Sequence, residues 1–246
     1  MGKRERLDKL LVERGLVASR EEGRRRILAG EVLVDDRPFA KAGSLIDAAS
    51  AIRLKGKALA YASRGGVKLE GALRHFRIDV KDKVVLDAGA STGGFTDCLL
   101  AFGARRVYAV DVGYGQLDWK LRNDPRVFVL EKTNIRYLDS GRLPESPGLA
   151  AIDVSFISLR LVLPQVRNFL ISKGEIVALI KPQFEVGKGK VGKGGVVRRP
   201  EEHERVIEEI KQAAGALQLE TIGVTESPLL GPKGNKEFFI YLRKTD

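Results

Sequence analysis

Cysteine, tryptophan and long apolar runs are the scarce features of this 246-residue chain. Its one cysteine, Cys98, excludes an internal disulfide and a cysteine-based zinc site. No apolar run approaches the roughly 20 residues that are needed to cross a bilayer. The basic start is followed by no apolar signal core, and Arg6 stands where a myristoylation signal has Ser or Thr. We therefore expect a cytoplasmic protein with no membrane partner.

Positive charge is abundant and unevenly placed. The net charge is +11, from 43 Lys and Arg against 32 Asp and Glu. Residues 1–59 contain 14 basic against nine acidic side chains, and residues 181–199 contain six against one. Two concentrated basic zones indicate a polyanionic partner, above all nucleic acid, with a merely solubilising surface as the alternative.

Residues 84–97 are the stretch around which the chain is organised. A buried strand at 84–88 is followed by a tight turn and a helix start, which is the arrangement of a nucleotide-type cofactor site. The turn glycines are Gly89, Gly93 and Gly94. A second strand ends in Asp111, 22 positions after Gly89, where an acid can hold ribose hydroxyls. Because the glycine spacing is not G-x-G-x-x-G, it does not decide whether the cofactor is a dinucleotide or S-adenosylmethionine.

The pattern of elements predicts a small α+β domain at residues 1–59. Apolar side chains recur at helical spacing in 3–15, and Ser19 has the character of a helix cap ahead of a second helix at 20–29. Short strand signals follow on either side of a turn at 35–38.

Residues 60–246 alternate between strands and helices, which predicts an α/β fold with a mostly parallel, Rossmann-like sheet covered by helices on both faces. One helix is expected at 158–171. The last two strands, 219–226 and 236–243, have no helix between them and must pair as a hairpin, so the last strand runs antiparallel to the rest. That ending is typical of S-adenosylmethionine-dependent methyltransferases and less so of NAD domains. Trp119 is expected to be a packing residue.

The segment 187–195 is basic and rich in glycine. It contains G-x-x-x-x-G-K, the front of a phosphate-binding P-loop, but Gly194 occupies the position at which Ser or Thr holds magnesium, and no helix begins there. We therefore expect a mobile loop that folds over RNA, with contacts from Lys188, Lys190 and Lys193.

Three strings in the first domain carry a family resemblance. They are Arg6-Leu7-Asp8-Lys9-Leu10-Leu11, Ser19-Arg20-x-x-Gly23 and Ile27-x-x-Gly30-x-Val32-x-Val34-Asp35. The domain resembles the alpha-L RNA-binding domain of ribosomal-protein type, in which the second helix and the turn after it face RNA. The resemblance implies phosphate contacts, which carry little sequence information, from Arg20, Arg24, Arg25 and Lys41. The alternative is a helix with a solvated basic face.

Four charged residues stand at the ends of predicted elements in the second domain. They are Lys68, Asp153, Lys181 and Glu237. Strand ends at the carboxyl edge of a parallel sheet meet at the ligand crevice. Four further strings accompany them: Ser63-Arg64-Gly65-Gly66-x-Lys68-Leu69, Asp87-x-Gly89-x-Ser91-Thr92-Gly93-Gly94-Phe95-Thr96-Asp97, Asp153-Val154-Ser155-Phe156-Ile157-Ser158 and Lys181-Pro182-Gln183-Phe184-Glu185. The domain resembles the FtsJ/RrmJ class of ribose 2′-O-methyltransferases with its Lys-Asp-Lys-Glu tetrad, and the whole chain resembles the TlyA family, often labelled hemolysin A.

The resemblance implies S-adenosylmethionine-dependent 2′-O-methylation of cytidine in ribosomal RNA, in the large subunit alone or in both subunits. Lys181 would assist removal of the proton from the 2′-hydroxyl. An amine can accept a proton only in its neutral form, and burial and the nearby Lys68 cation favour that form. Asp153 would orient Lys181, and Glu237 would hold Lys68 or Lys181. The reaction requires no metal, and a monomer is the default.

The same resemblance assigns residues to the ligands. Cofactor contacts are expected from Asp87, Gly89, Ser91, Thr92, Gly93, Gly94, Phe95, Asp111, Asn134 and Asp153. Among these, Asp111 would take the ribose hydroxyls and Asn134 would meet the adenine ring. Arg64 is a further expected RNA contact.

Three other functions stay open at this point. A membrane-active hemolysin is disfavoured by the lack of a spanning segment. A non-catalytic RNA-binding ribosome-assembly factor would have no use for an intact tetrad. An NAD-dependent enzyme is disfavoured by the tetrad and by the terminal hairpin.

Overall fold

The computed structural model of the protein describes residues 4–35, 37–39, 41–54, 60–187, 191–192 and 194–246. The chain divides into two units, Met1–Leu59 and Ala60–Asp246. The predicted loop contacts Lys188, Lys190 and Lys193 lie outside the described residues. Within the described ranges, no helix is long and apolar enough to cross a membrane.

The first unit packs two helices over short antiparallel strands. Its elements are β1 (Arg4–Arg6), α1 (Leu7–Glu13), α2 (Arg20–Leu28), β2 (Val32–Val34), β3 (Arg37–Phe39), β4 (Leu45–Asp47) and β5 (Ile52–Leu54). Ser19 caps α2 by accepting the Glu22 N–H at 3.2 Å. Leu7, Leu11 and Ile27 have no exposed surface and form the centre of this unit's core.

The structure corrects two boundaries in this unit. The predicted helix 3–15 begins as a strand, since β1 pairs with β4. The predicted turn 35–38 runs into β3, which pairs with β2 and carries Pro38 on the edge of its sheet, the position that tolerates proline. Strands of three residues are too short to show an alternating pattern, so the local sequence does not reveal them.

A seven-stranded sheet forms the centre of the second unit. Its strands are β6 (Val84–Ala88), β7 (Arg106–Val110), β8 (Val127–Leu130), β9 (Leu149–Ile152), β10 (Glu175–Ile180), β11 (Leu219–Glu226) and β12 (Phe238–Lys244). The spatial order is β11-β12-β10-β9-β6-β7-β8. Strands β6 to β10 run parallel, and β12 pairs antiparallel with both β10 and β11. The predicted Rossmann-like sheet with an antiparallel last strand is confirmed.

Helices cover both faces of this sheet. They are α3 (Arg64–Phe76), α4 (Gly94–Ala101), α5 (Trp119–Arg122), α6 (Leu163–Phe169), α7 (Pro182–Glu185) and α8 (Pro200–Ala216). Leu69 of α3 and Phe95 of α4 belong to the core on one face, and Val166 of α6 and Ile210 of α8 belong to the core on the other. The sheet is therefore shielded from water on both sides, as the unbroken apolar runs of its central strands require.

Two predictions in the second unit are wrong. The helix expected at 158–171 is a 3-10 turn at Leu159–Leu161 followed by α6, because Pro164 in the first turn of α6 has no N–H with which to continue a helix from the preceding residues. Trp119 is 65% exposed and does not pack into the core.

The direction of the strands places the site. Parallel strands β6 to β10 present their carboxyl ends at one edge of the sheet. Because β12 runs the opposite way, the residue just before it, Glu237, lies at that same edge. Residues that are far apart in the chain, such as Asp153 after β9 and Lys181 after β10, are thereby brought to one place.

Candidate active site

Glycine shapes the turn after β6. Gly89 has a φ of +92°, and a Cβ there would lie 2.6 Å from the Asp153 carbonyl oxygen. Gly93 has a φ of +94° and caps α4, and a Cβ there would overlap Leu121. Any side chain at either position would be strained and would collide with the neighbouring segment. Only glycine therefore allows the turn to pack this closely against Asp153 and Leu121.

Two adjoining cavities open in front of this turn. One has a volume of about 290 Å³ and the other of about 420 Å³. They share Gly89, Ser91 and Asp153 as lining residues. The two cavities therefore adjoin at the turn and form the two parts of one crevice, which most of the predicted cofactor and catalytic residues line.

The predicted tetrad meets at the first cavity, which all four of its side chains line. Lys68 Nζ lies 2.6 Å from Glu237 Oε2, and Glu237 is completely buried. Lys181 Nζ lies 2.6 Å from Asp153 Oδ1 and donates a 2.9 Å hydrogen bond to Ser155 Oγ. Among the described residues, Asp153 Oδ1 has no hydrogen-bond partner, so its contact with Lys181 is an ion pair. The tetrad is thus two Lys–acid pairs, and the two lysine side chains are 10–11% exposed.

Asp111 is held in place at the second cavity. Its carboxylate accepts the Ser91 N–H at 2.8 Å and the Gly113 N–H at 2.7 Å. Asn134 lines the same cavity, whose wall is otherwise largely apolar, with Val112, Ile135, Ile157 and Val162 among its residues. A fixed carboxylate beside an apolar slot suits a ligand that combines hydroxyl groups with a flat ring.

Asp87 lies beneath the crevice and lines neither cavity. It is completely buried and accepts a 2.6 Å hydrogen bond from Thr96 Oγ1. Burial, with a smaller contribution from the neighbouring carboxylates of Asp153 and Asp111, raises the pKa of Asp87 to about 7, although the hydrogen bonds from Thr96 act against that rise. Its contact with α4 joins β6 to the helix that follows the turn.

The other predicted cofactor residues divide by position. Thr92, Gly94 and Phe95 line the first cavity together with Arg64, the predicted RNA contact at the start of α3. Gly93, like Asp87, does not belong to the lining of either cavity and acts through the backbone turn.

Two polar partners of the tetrad escaped the sequence prediction. Ser155 accepts the hydrogen bond from Lys181 described above. Gln183 Nε2 donates to Glu237 Oε1 at 3.5 Å. Both belong to strings that carry the family resemblance. The directions of their side chains depend on the path of the short segments after β9 and β10, which have no periodic signal in the sequence.

In the first unit, three arginines converge on one buried acid. Asp8 has no exposed side-chain surface and accepts hydrogen bonds from Arg6, Arg20 and Arg24 at 3.0–3.1 Å. The three arginines hold the pKa of Asp8 well below its usual range, and the hydrogen bond from Arg6 has the largest effect. The three arginine side chains are 39–54% exposed, and together with Asp8 they form a cationic surface with two net positive charges. Arg6 is the member that the sequence did not single out.

Comparison with protein families defines the class. A model of FtsJ-like methyltransferases matches residues 61–244, and a model of the S4 domain matches residues 5–49. The second unit is therefore an FtsJ-like methyltransferase domain, and an S4 domain precedes it. Both domain types agree with the predicted resemblance.

Curated relatives narrow the class to one family. TlyA of Mycobacterium tuberculosis, named a 16S/23S rRNA (cytidine-2′-O)-methyltransferase, is 47% identical over 244 residues, which are 99% of this chain and 91% of that protein. Hemolysin A of Brachyspira hyodysenteriae is 39% identical over 238 residues, which are 96% of this chain and 98% of that protein. The chain belongs to the TlyA family.

Solved structures give the same architecture. A Streptococcus thermophilus protein with a provisional hemolysin name has a TM-score of 0.78 and 44% identity, and the match covers 100% of this chain and 90% of that one. An S-adenosylmethionine-dependent methyltransferase from Mesorhizobium loti has a TM-score of 0.54 at 14% identity, over 72% of this chain and 97% of that one, which shows the shared fold alone.

Proposed function

We propose that this chain transfers a methyl group from S-adenosylmethionine to the 2′-hydroxyl of a cytidine in ribosomal RNA. The observation that carries the proposal is the meeting of Lys68, Asp153, Lys181 and Glu237 at a cavity that adjoins the glycine turn. The name of the M. tuberculosis relative supplies the base, the RNA class and both ribosomal subunits as candidate substrates.

The crevice fits S-adenosylmethionine in the chemistry of its polar groups. The Asp111 carboxylate at the second cavity can accept hydrogen bonds from ribose hydroxyls, and Asn134 offers an amide to an adenine edge. The backbone N–H groups at the start of α4 suit a carboxylate, as helix N-termini do. The cofactor, when bound, supplies a methyl group on a positively charged sulfur. The enzyme has to align an oxygen with that carbon and remove a proton from the oxygen.

Lys181 is the residue that we assign to the proton. In its neutral form, Nζ would accept the proton of the 2′-hydroxyl as the new oxygen–carbon bond forms. Asp153 and Ser155 would fix the direction of Nζ, and the Asp153 carboxylate would stabilise the ammonium that results. Glu237 contacts Lys68 rather than Lys181, so of the two roles expected for it we propose that it holds Lys68.

Basic side chains would bind the RNA backbone. In the first unit, Arg20 and Arg24 are positioned by Asp8 and present exposed guanidinium surface. In the second unit, Arg64 is exposed and lines the first cavity. Such groups suit phosphates, which position an RNA without reading its sequence. We include the remaining predicted basic contacts in this role: Arg25, Lys41, Lys188, Lys190 and Lys193.

The test is methyl transfer from labelled S-adenosylmethionine to purified small and large ribosomal subunits, with the product mapped by mass spectrometry of RNA fragments. We expect a ribose methyl on cytidine with the native chain and its loss with Lys181→Ala. Lys211→Ala is the matched control, because Lys211 is a lysine on α8 that pairs with Glu208 outside the crevice. Transfer that survives Lys181→Ala would overturn the assigned role, and cofactor binding without transfer to either subunit would overturn the substrate.

A further inference from the structure

Two residues of the family strings, Ser158 and Glu185, have no part in the proposed chemistry, yet they form a buried contact beside it. Glu185 is 5% exposed. Its Oε2 accepts a 2.5 Å hydrogen bond from the Ser158 hydroxyl, and its Oε1 accepts the Leu159 N–H at 2.8 Å. Burial raises the pKa of Glu185, and the two hydrogen bonds and Arg160, at 3.8 Å, act against that rise.

The contact closes a ring between the two segments that carry the catalytic groups. One segment, Asp153–Ser158, leaves the end of β9, and the other, Lys181–Glu185, leaves the end of β10. Lys181 joins them at their first residues through Asp153 and Ser155. Glu185 joins them again at their far ends through Ser158. Between the two joints, the rings of Phe156 and Phe184 contact each other with centroids 4.9 Å apart.

The first segment contains a residue in a strained backbone conformation, which contacts on both sides of it can hold in place. Phe156 has a φ of +63°, in the left-handed region that a bulky side chain disfavours, and its side chain is 90% exposed. Burial of Phe156 therefore does not hold this conformation. A strained residue keeps its conformation only when the surrounding contacts determine it. Two polar contacts flank Phe156, Lys181–Ser155 before it and Glu185–Ser158 after it, and Ile157 packs against the core between them.

We infer that Glu185 is a positioning residue for methyl transfer: through Ser158 and Leu159 it fixes the Asp153–Ser158 segment, so that Asp153 and Ser155 hold Lys181 Nζ in line with the ribose oxygen. This inference rests on the proposed function of Lys181. Glu185 itself touches no reacting atom. Its two carboxylate oxygens accept the Ser158 O–H and the Leu159 N–H. An amide could keep the second bond but would have to donate to the Ser158 oxygen, which already accepts from the backbone and side-chain N–H groups of Arg160.

The experiment compares the full-length chain with Glu185→Gln in steady-state methyl transfer to ribosomal subunits. We expect kcat to fall about ten- to hundred-fold, the effect of small misplacements of catalytic groups, while KM for S-adenosylmethionine and for RNA stays within about two-fold. Glu209→Gln is the matched control. Glu209 contacts the other side of the same Arg160 at 3.4 Å but does not touch the segment, so its kinetics are expected to match the native chain.

A second variant keeps the test decisive. Ser158→Ala removes the other side of the same contact and leaves the acid in place, so its kcat is expected to fall as well, and the double variant is expected to be no slower than the slower single one. A fall in melting temperature with unchanged kcat would overturn the inference, as would a rise in either KM that accounts for the whole loss. A native chain that transfers no methyl group overturns the proposed function, whereas an active native chain with equally active Glu185→Gln and Ser158→Ala overturns the inference alone.

Discussion

At the scale of single residues, the Lys68–Glu237 pair is both buried and part of the candidate active site. Its two charged atoms are 2.6 Å apart, and only 11% of the Lys68 side chain is exposed. Two charges taken out of water are tolerable when they are close together, and removal of one leaves the other without compensation. The fold and the chemistry therefore depend on the same contact in different ways.

That difference is measurable. We expect Glu237→Ala to lower the free energy of unfolding by about 3 kcal/mol and to abolish methyl transfer. The paired replacement of Lys68 by Met and Glu237 by Leu is expected to recover most of the stability, because no charge stays buried, but no activity. Chemical denaturation and transfer assays on the same samples are the measurements. Glu208→Ala, at an exposed ion pair with Lys211, is the control and should change stability by less than about 0.5 kcal/mol.

Asp87 gives a second residue-scale prediction, on pH. Its pKa is raised to about 7 in the folded chain, so the fold binds a proton that an unfolded Asp releases near pH 4. The contribution of Asp87 is therefore fully present below about pH 4, and the native chain loses it as the pH rises towards 7. Asp87→Asn has no charge to bury, so we expect the variant to gain stability relative to the native chain between pH 5 and pH 8, by about 1 kcal/mol or more.

Urea denaturation of both chains at pH 5 and at pH 8 checks this expectation. The amide oxygen of Asn can still accept from Thr96, which keeps the hydrogen bond to α4 comparable in both chains. A stability difference between the variant and the native chain that is equal at the two pH values would contradict the assignment of a raised pKa to Asp87.

At the scale of elements, the long and fully buried strands could be predicted from the sequence. Strand β6, with five buried residues, and strand β10, with five of six, have continuous apolar runs that only a covered parallel sheet accommodates. Strands β1 and β4 have three residues each and alternate too briefly to be recognised, so a helix was predicted where β1 lies. Their pairing is a tertiary contact between distant segments, which no local pattern contains.

The same division applies to the candidate site. Asp153, Lys181 and Glu237 could be grouped from the sequence because each lies next to the end of a strand and the direction of the strands brings those ends together, whereas Lys68 lies inside α3 and was grouped with them by the family resemblance. The contact of Asp153 with Lys181 agrees with the prediction, whereas the sequence left the partner of Glu237 open between Lys68 and Lys181. The left-handed Phe156 and the turn at Gly89 set the path of the loops after β9 and β6, and side-chain order along the chain says little about the final contacts.

At the scale of the whole molecule, positive net charge is the property of the chain that suits an RNA partner. The net charge of +11 favours any polyanion, but the arginines fixed by Asp8 are a specific part of that surface. Counterions released from RNA make binding weaker as salt rises, in proportion to the number of phosphates contacted. The slope of log affinity against log salt concentration therefore reports the number of phosphate contacts.

We expect Arg24→Ala to weaken binding to ribosomal RNA and to reduce the slope of log affinity against log salt concentration by about 0.7–0.9, the loss of one phosphate contact. Binding titrations at several salt concentrations are the measurement. Arg126→Ala is the control, since Arg126 is also paired with an acid, Asp124, but belongs to no predicted RNA contact. Equal slopes for Arg24→Ala and the control would remove Arg24 from the interface.

The antiparallel strand β12 has a consequence for the order in which the protein becomes active. It lies between β10 and β11, so β11 has no place in the sheet until β12 has arrived, and Glu237 directly precedes it. A ribosome makes a chain from its N-terminus at about 5–20 residues per second, and domains fold as their residues emerge. The glycine turn, Asp153 and Lys181 are thus synthesised before the strand that completes their sheet. A nascent chain can hold most of the crevice and still lack the acid that holds Lys68, so activity begins only when synthesis has passed the last strand.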